Sequence, residues 1–226
     1  MASPLPSGSA LHLVQTEGAR RGLVIVPDIG GLRPLFTDMA DALAAEHGWS
    51  VATFEPWPGR EHLTLEERLA AVGSLDDSVL LADVAAAADA LEVEPVAVMG
   101  FCLGGMVALK AAAAGRLDRA VSFYGMVRLP DRWRSETMGE PLDALASGSA
   151  PVLSLVGTED PWVPAADADA LAATGAEVVR YPAADHGFVH DPSRPAHRPD
   201  DAADAWRRTI AFLTQVRGRG GPARPG

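Results

Sequence analysis

The sequence predicts an α/β domain in which a mostly parallel sheet is covered by helices on both faces. Short apolar runs alternate with longer helical patterns, and these runs are rich in Val, Ile and aromatic residues. The length of 226 residues suits one large domain better than two small ones, and no linker separates two apolar cores. We therefore expect a single domain over residues 1–216 and a disordered tail of Gly, Pro and Arg over 217–226.

Seven short apolar segments are predicted as strands, because each is too short for a helix of ordinary length. Apolar runs of this kind are typical of parallel strands that are buried on both faces. In chain order the segments are 11–16, 23–27, 50–54, 96–99, 120–124, 152–156 and 177–181.

Two of the longer segments have the spacing of amphipathic helices. Residues 76–91 place Leu80 and Val84 on one apolar stripe. Residues 200–216 repeat this spacing, and Pro199 directly before them is a typical start signal for a helix. Strands and helices therefore alternate to the end of the chain.

Composition excludes several classes of function. The formal charge of −11 and the isoelectric point near 4.9 disfavour nucleic acid, because phosphate binding needs a concentrated positive field. No apolar run is long enough to span a bilayer, and residues 1–10 lack the pattern of a secretory signal, so we expect a cytoplasmic protein without a membrane partner. A single cysteine excludes an intrachain disulfide and a multi-cysteine metal site.

The sequence around that cysteine has the form G-x-C-x-G-G between a predicted strand and an apolar helix. A nucleophile on a sharp strand-to-helix turn needs small neighbours, here Gly100 and Gly104, because a side chain at either position would collide with the adjacent strand or helix. The helix begins at Cys102, so its free amides favour the reactive thiolate. The amide of Leu103 is placed to stabilise a developing oxyanion. Taken alone, a single cysteine is more often a small buried apolar residue than a nucleophile, and its place between Gly100 and Gly104 favours the nucleophile.

A nucleophile of this type predicts an acid and then a histidine, each after a later strand. Asp160 follows the 152–156 strand and His186 follows the 177–181 strand. Parallel strands bring their carboxyl ends to one edge of the sheet, so both side chains can meet Cys102. Glu159 and Asp185 remain alternatives to Asp160. We favour Asp160, because the Pro-rich segment after it stiffens its loop.

The assembled pattern resembles the dienelactone hydrolase family, the carboxymethylenebutenolidases, within the α/β-hydrolase fold. The resemblance runs from about residue 23 to 213 and implies the same mostly parallel sheet. Few residues separate the 120–124 strand from the 152–156 strand, so we expect a minimal cap or none. The matching segments are IVPDIGGLRP at 25–34, GFCLGG at 100–105, AVSFYG at 120–125, VGTEDPWVP at 156–164 and DHGF at 185–188.

The resemblance implies two further roles near the start of the chain. Asp28 takes the position of an acid that holds the resting thiol until substrate binds, and Ile29 supplies a second oxyanion amide. The family usually has Glu at the position of Asp28. The shorter side chain leaves open a second interpretation, in which Asp28 only forms a turn.

Candidate substrate-binding residues follow from the same resemblance and from the loops. Related enzymes hold a substrate carboxylate with arginines, one of them four residues after the catalytic histidine, where this chain has His190. A neutral imidazole does not replace a bidentate guanidinium, so Arg60 and Arg68 are the alternative cations. The pocket-lining candidates next to catalytic loops are Tyr124, Trp162 and Phe188.

We therefore expect a hydrolase that cleaves a small ester, lactone or thioester through Cys102, His186 and Asp160, with no metal and no organic cofactor. We expect a monomer or a homodimer. Three other functions remain open from the sequence: a cyclase, dehalogenase or acyl-transfer enzyme on the same scaffold, a ligand-binding protein without catalysis, and a redox sensor.

Overall fold

A computed structural model describes residues 5–146 and 148–215 of the chain. Seven strands form one sheet in the order β1-β3-β2-β4-β5-β6-β7. Only the pairing of β1 with β3 is antiparallel. The strands are β1 Leu11–Val14, β2 Gly22–Val26, β3 Ser50–Phe54, β4 Val96–Phe101, β5 Arg119–Phe123, β6 Val152–Gly157 and β7 Glu177–Tyr181.

The α-helices flank this sheet. They are α1 Pro34–His47, α2 Leu65–Ala71, α3 Asp77–Ala90, α4 Leu103–Ala111, α5 Pro141–Ala146, α6 Ala165–Ala173 and α7 Pro199–Thr214. Short 3-10 turns follow α2 and α4, and another precedes α5.

Strand β2 shows how the sheet separates two hydrophobic cores. Leu23 and Ile25 point to one face, where they join a buried cluster that includes residues of α1 and α7. Val24 and Val26 point to the other face and join a cluster with residues of α3, α4, α5 and α6. Successive side chains of β2 point to opposite faces of the sheet. Because a core covers each face, every residue of β2 is buried. This layering gives the α/β-hydrolase fold that the sequence predicts.

All seven predicted strands are present, with shifts of a few residues at their ends. The largest extension is in β4, which runs on to Phe101 because Gly100 still pairs with β5. The predicted helices at 76–91 and 200–216 are confirmed as α3 and α7. The predicted tail at 217–226 lies outside the described residues. In the part of the chain that is described, no helix has the length and apolar character needed to cross a bilayer.

Two connecting segments of the chain contribute no strand to the sheet. Between β3 and α3 they contain α2, and between β5 and β6 they contain a 3-10 turn, Asp131–Trp133, and α5. These two segments, which we call the cap segments, place Leu65, Leu69 and Trp133 in the wall of a cavity beside Cys102.

Candidate active site

Cys102 lies at the junction of β4 and α4, in a backbone conformation that non-glycine residues rarely adopt. Its φ is 55° and its ψ is −117°. A strained residue of this kind costs about 1–3 kcal/mol and persists only where its surroundings enforce it. The backbone amide of Cys102 donates to the carbonyl of Phe123 at 3.0 Å, which anchors the turn to β5.

Two glycines make this turn possible. A Cβ at Gly100 would stand 2.0 Å from the carbonyl oxygen of Gly104, and a Cβ at Gly104 would stand 2.0 Å from that of Val26. No side chain fits at either position without moving backbone. The helix therefore starts directly behind the sulfur, and the amides of its first turn, beginning with Leu103, have no partner inside the helix.

His186 joins Asp160 and Cys102 into one cluster. Its Nδ1 lies 2.8 Å from Oδ2 of Asp160, and the ring lines the same cavity as Cys102, which is among the groups that perturb its pKa. The Asp160 carboxylate is fully buried, and its other oxygen accepts the amide of Trp162 at 2.8 Å. The Asp160 carboxylate is thus fixed in place, and it occupies Nδ1 of the ring, which leaves Nε2 available to other groups at the cavity.

The electrostatics of this cluster favour a protonated imidazole. Burial lowers the pKa of His186, but the hydrogen bonds to Asp160 and Cys102 and the charges of both outweigh it and raise the pKa from 6.5 to about 10. A ring with that pKa holds a proton next to the sulfur at neutral pH. An arrangement of this type can deliver a thiolate for attack on a carbonyl and can return the proton to a leaving group.

A cavity of about 440 Å³ opens beside the sulfur. Its walls combine apolar side chains from the two cap segments with polar groups from the loops of the sheet edge. They are formed by Asp28, Ile29, Gly30, Arg33, Leu65, Leu69, Cys102, Trp133, Trp162, His186, Asp191 and Arg194. Within the described ranges, no group of three His, Cys, Asp or Glu side chains is arranged to hold a metal ion.

The match to known proteins covers almost the whole chain. A sequence profile described as "Dienelactone hydrolase family" matches residues 10–217. This chain belongs to the dienelactone hydrolase family.

Individual relatives agree with this family. A Bradyrhizobium protein named "Probable 2-oxo-3-(5-oxofuran-2-ylidene)propanoate lactonase" is 32% identical over 213 residues, which cover 87% of this chain and 84% of the relative. Among solved structures, "Crystal Structure of Putative Dienelactone Hydrolase from Klebsiella pneumoniae subsp. pneumoniae MGH 78578" is 26% identical. It superposes with a TM-score of 0.77 over 92% of this chain and 100% of that chain. Hydrolysis of ester or lactone bonds is therefore the general activity of this dienelactone hydrolase family member.

Ile29 lies at the cavity in a turn that several groups hold. Its carbonyl oxygen accepts hydrogen bonds from Nε1 of Trp57 at 3.0 Å and from Arg68 at 3.2 Å. The amide of Gly31 donates to the carbonyl of Asp28 at 2.9 Å and closes a turn over residues 28–31. We refer to it as the 28–31 turn.

The family resemblance implies that Asp28 holds the resting thiol. In the structure, Asp28 instead binds Arg33 and His190. Arg33 binds both of its oxygens, at 2.7 and 2.9 Å, and Nε2 of His190 lies 2.8 Å from Oδ2. Burial raises the pKa of Asp28, but these bonds and charges outweigh it and keep the pKa below its ordinary value. None of the hydrogen bonds described for Asp28 goes to Cys102.

The predicted pocket residues are only partly at the cavity. Trp162 lines it, but Tyr124 and Phe188 are fully buried behind His186. The Tyr124 ring meets the His186 ring edge to face at 5.1 Å and supports it from the core. His190 is also buried, and its Nδ1 accepts a hydrogen bond from the Tyr124 hydroxyl. These three side chains are shielded from a ligand in the cavity.

The two arginines that the sequence offered as substrate cations are used elsewhere. Arg68 is buried, donates to the carbonyl oxygens of Leu63, Ile29 and Glu61, and lies 4.0 Å from the Glu55 carboxylate. Arg60 donates to the Ser74 hydroxyl and is not among the cavity residues. Neither Arg60 nor Arg68 is among the residues that line the cavity beside Cys102.

Sequence reasoning missed several residues that do form the cavity. Trp133 stacks on Trp162 with ring centroids 5.0 Å apart. Arg194 reaches from the loop after β7, and its guanidinium lies against Gly187, beside His186. Among residues 5–146 and 148–215, no carboxylate forms a salt bridge with Arg194. No motif in the sequence marks Arg194, which lies eight residues after His186. A long arginine side chain in a loop can adopt many directions, so its sequence position does not predict which group it contacts.

Proposed function

We propose that this chain hydrolyses a lactone or ester through an acyl-thioester on Cys102, with His186 as the acid and base and Asp160 as its orienting group. One observation carries the proposal: Asp160 holds the His186 ring at 2.8 Å in the cavity that Cys102 also lines, at the start of α4. This is the arrangement that nucleophilic acyl transfer requires.

The reaction has two steps. In the first, the Cys102 sulfur attacks the acyl carbon, the bond from that carbon to the alkoxy oxygen breaks, and His186 gives its proton to the leaving oxygen. In the second, water attacks the thioester while His186 takes a proton from it, the carbon–sulfur bond breaks, and the sulfur is released beside His186. A lactone thereby gains one water and opens to a hydroxy acid or its tautomer.

Backbone amides stabilise the negative oxygen that forms in both steps. The Leu103 amide at the start of α4 is one donor, and the Ile29 amide of the 28–31 turn is the second. Removing one donor of this kind costs about a hundredfold to a thousandfold in rate in other acyl-transfer enzymes. The hydrogen bonds on the Ile29 carbonyl support this role, because they fix the peptide segment that presents the second donor.

The cavity favours a compact lactone that carries an anionic group. Leu65, Leu69 and the two stacked tryptophans offer apolar surface, and Arg194 offers a guanidinium without a carboxylate partner in the described chain. The Bradyrhizobium relative is named for a lactone with a propanoate group, which agrees with this chemistry. We therefore assign the substrate carboxylate to Arg194.

Turnover of a panel of lactones and p-nitrophenyl acetate by matched variants tests the proposal. Cys102→Ala and His186→Gln should each lose on the order of a thousandfold or more in kcat/KM. Glu159→Gln and Asp185→Asn are controls for Asp160→Asn, because they remove neighbouring carboxylates that do not contact the ring nitrogens. Full activity in Cys102→Ala refutes the nucleophile. Loss in Asp185→Asn without loss in Asp160→Asn reassigns the acid.

A further inference from the structure

A buried line of hydrogen bonds links three loops at the carboxyl edge of the sheet. The Tyr124 hydroxyl, after β5, donates to Nδ1 of His190, after β7. Nε2 of His190 then donates to Oδ2 of Asp28, after β2, at 2.8 Å. The His190 side chain is fully buried, and burial lowers its pKa more than the hydrogen bond and charge of Asp28 raise it, which favours a neutral ring. Because a carboxylate only accepts, the contact with Asp28 assigns the proton of that ring to Nε2.

The Asp28 carboxylate has no acceptor capacity left. Its Oδ1 accepts the Gly30 amide at 2.8 Å and Arg33 at 2.7 Å, and its Oδ2 accepts Arg33 at 2.9 Å and His190 at 2.8 Å. A carboxylate has about four lone-pair sites, and these four hydrogen bonds fill them. The carboxylate would have to give up at least one of these partners to reach the thiol.

We propose that His190 is a positioning residue that fastens the 28–31 turn to the loop carrying His186 and keeps Asp28 engaged, so that Cys102 pairs with His186 before substrate arrives. The inference rests on the proposed function and deepens it. It differs from the resting state that the resemblance implies, in which a carboxylate at this position holds the thiol.

His190 is better suited to this role than the other partners of Asp28. Arg33 is 32% exposed and Gly30 belongs to the turn itself, so both connect Asp28 only to its own loop. His190 instead comes four residues after His186 in the chain. It therefore sets the distance between the loop of the Ile29 amide and the loop of the imidazole, the two groups that must act on one substrate.

Two substitutions of His190 separate its two hydrogen bonds. The amide of His190→Gln reaches the position of Nε2 and can still donate to Asp28, whereas the shorter amide of His190→Asn reaches only the position of Nδ1, next to Tyr124. We expect His190→Asn to lose at least tenfold in kcat with KM within twofold, because a misplaced oxyanion donor affects the transition state more than the bound substrate. His190→Gln should recover most of that loss. Equal activity of the two variants would overturn the positioning role.

Alkylation of the resting protein by iodoacetamide tests the pairing of the thiol. Asp28→Asn should change the rate much less than His186→Gln does between pH 6 and 9, because no hydrogen bond of Asp28 goes to the sulfur. His186→Gln should slow alkylation at least tenfold at pH 6 to 7. A change in Asp28→Asn as large as that in His186→Gln would overturn the proposed resting pair.

The parent protein offers a check that needs no substitution. With ¹⁵N-labelled histidine and no substrate, NMR should show the His190 ring as a neutral tautomer with its proton on Nε2. A proton on Nδ1, or a doubly protonated ring at neutral pH, would overturn the inference. Activity in Cys102→Ala would refute the proposed function alone, since the tautomer of His190 is measured independently of turnover.

Discussion

The indole rings of Trp133 and Trp162 stack almost in parallel, with centroids 5.0 Å apart and planes 12° apart, and form one wall of the cavity beside Cys102. Trp133 comes from the segment between β5 and β6, and Trp162 comes from the loop that carries Asp160. Their contact joins the segment between β5 and β6 to the loop that carries Asp160. The guanidinium of Arg132 lies beside the stack, 5.5 Å from the Trp133 centroid and 4.8 Å from the Trp162 centroid.

The stack predicts how Trp162 contributes to substrate binding. Trp162→Ala should raise KM for lactones with an apolar ring about tenfold, because burying an aromatic surface against a ligand is worth on the order of 1–2 kcal/mol. Trp162→Phe keeps a ring on Trp133 and should change KM less than threefold. Steady-state kinetics of the two variants provide the measurement. Equal KM values in both would show that the substrate does not touch this wall.

Arg194 predicts a preference that depends on substrate charge. Arg194→Gln should lower kcat/KM for a carboxylated lactone by about 10–100-fold, since a hydrogen bond to a charged group contributes roughly 1.5–3 kcal/mol. The neutral analogue should be hydrolysed at an unchanged rate. Arg60→Gln is the matched control, because Arg60 bonds Ser74 away from the cavity. A uniform loss for both substrates would contradict specific recognition of the anion.

The contact between Asp160 and His186 predicts two effects of removing the carboxylate: a lower pKa of His186 and a changed pH dependence of the free energy of unfolding. Asp160→Asn removes a hydrogen bond and a charge that raise the pKa of His186, so that pKa should fall from about 10 toward or below 6.5, as NMR titration of the ring can measure. A histidine with a raised folded pKa adds stability below pH 6.5, and this contribution is lost as pH rises through 10. The advantage of the parent over Asp160→Asn in free energy of unfolding should therefore shrink between pH 7 and 10. A difference that grows over this range would contradict the assigned coupling.

The close packing of α4 on β2 at Gly104 predicts a large loss of stability when a single methyl group is added there. Gly104→Ala places a Cβ 2.0 Å from the Val26 carbonyl oxygen, and backbone has to move, so we expect about 3 kcal/mol lower free energy of unfolding by urea denaturation. Gly139→Ala is the control, because its nearest neighbour would be the Asp77 carboxylate at 3.5 Å. It should lie within about 0.5 kcal/mol of the parent. A tolerated Gly104→Ala would mean that α4 does not pack on β2 as described.

Local patterns in the sequence were sufficient to predict the strands and the cluster around Cys102. Cys102 directly follows β4, whereas Asp160 and His186 lie in the loops after β6 and β7, and the parallel arrangement brings these strand ends to one edge of the sheet. The structure places Asp160 on the His186 ring, whereas the Asp185 carboxylate accepts the backbone amide of His186 at 2.6 Å. That choice depended on loop stiffness, which sequence can indicate.

The roles of longer side chains were beyond the sequence. Asp28 meets His190 across 162 positions of the chain, and both partners are buried, so their pairing depends on how the loops pack. Arg68 and Arg194 have the same chemistry, yet Arg68 is buried against main-chain carbonyls and Arg194 faces the cavity. A flexible guanidinium finds its partner only after the surrounding backbone is in place. Motifs therefore predict the positions of Cys102, Asp160 and His186 better than the positions of the long side chains around the cavity.

The residues that line the cavity and the residues proposed to react come from different parts of the fold. Leu65, Leu69 and Trp133 lie in segments that contribute no strand, whereas Cys102, Asp160 and His186, the proposed reacting side chains, lie on loops that follow strands of the sheet. Leu65 on α2 is 58% exposed at the rim, so a change there disturbs few packed neighbours. Directed evolution toward bulkier or differently charged lactones can therefore diversify these positions while the thiol, the imidazole and their supporting carboxylate stay constant.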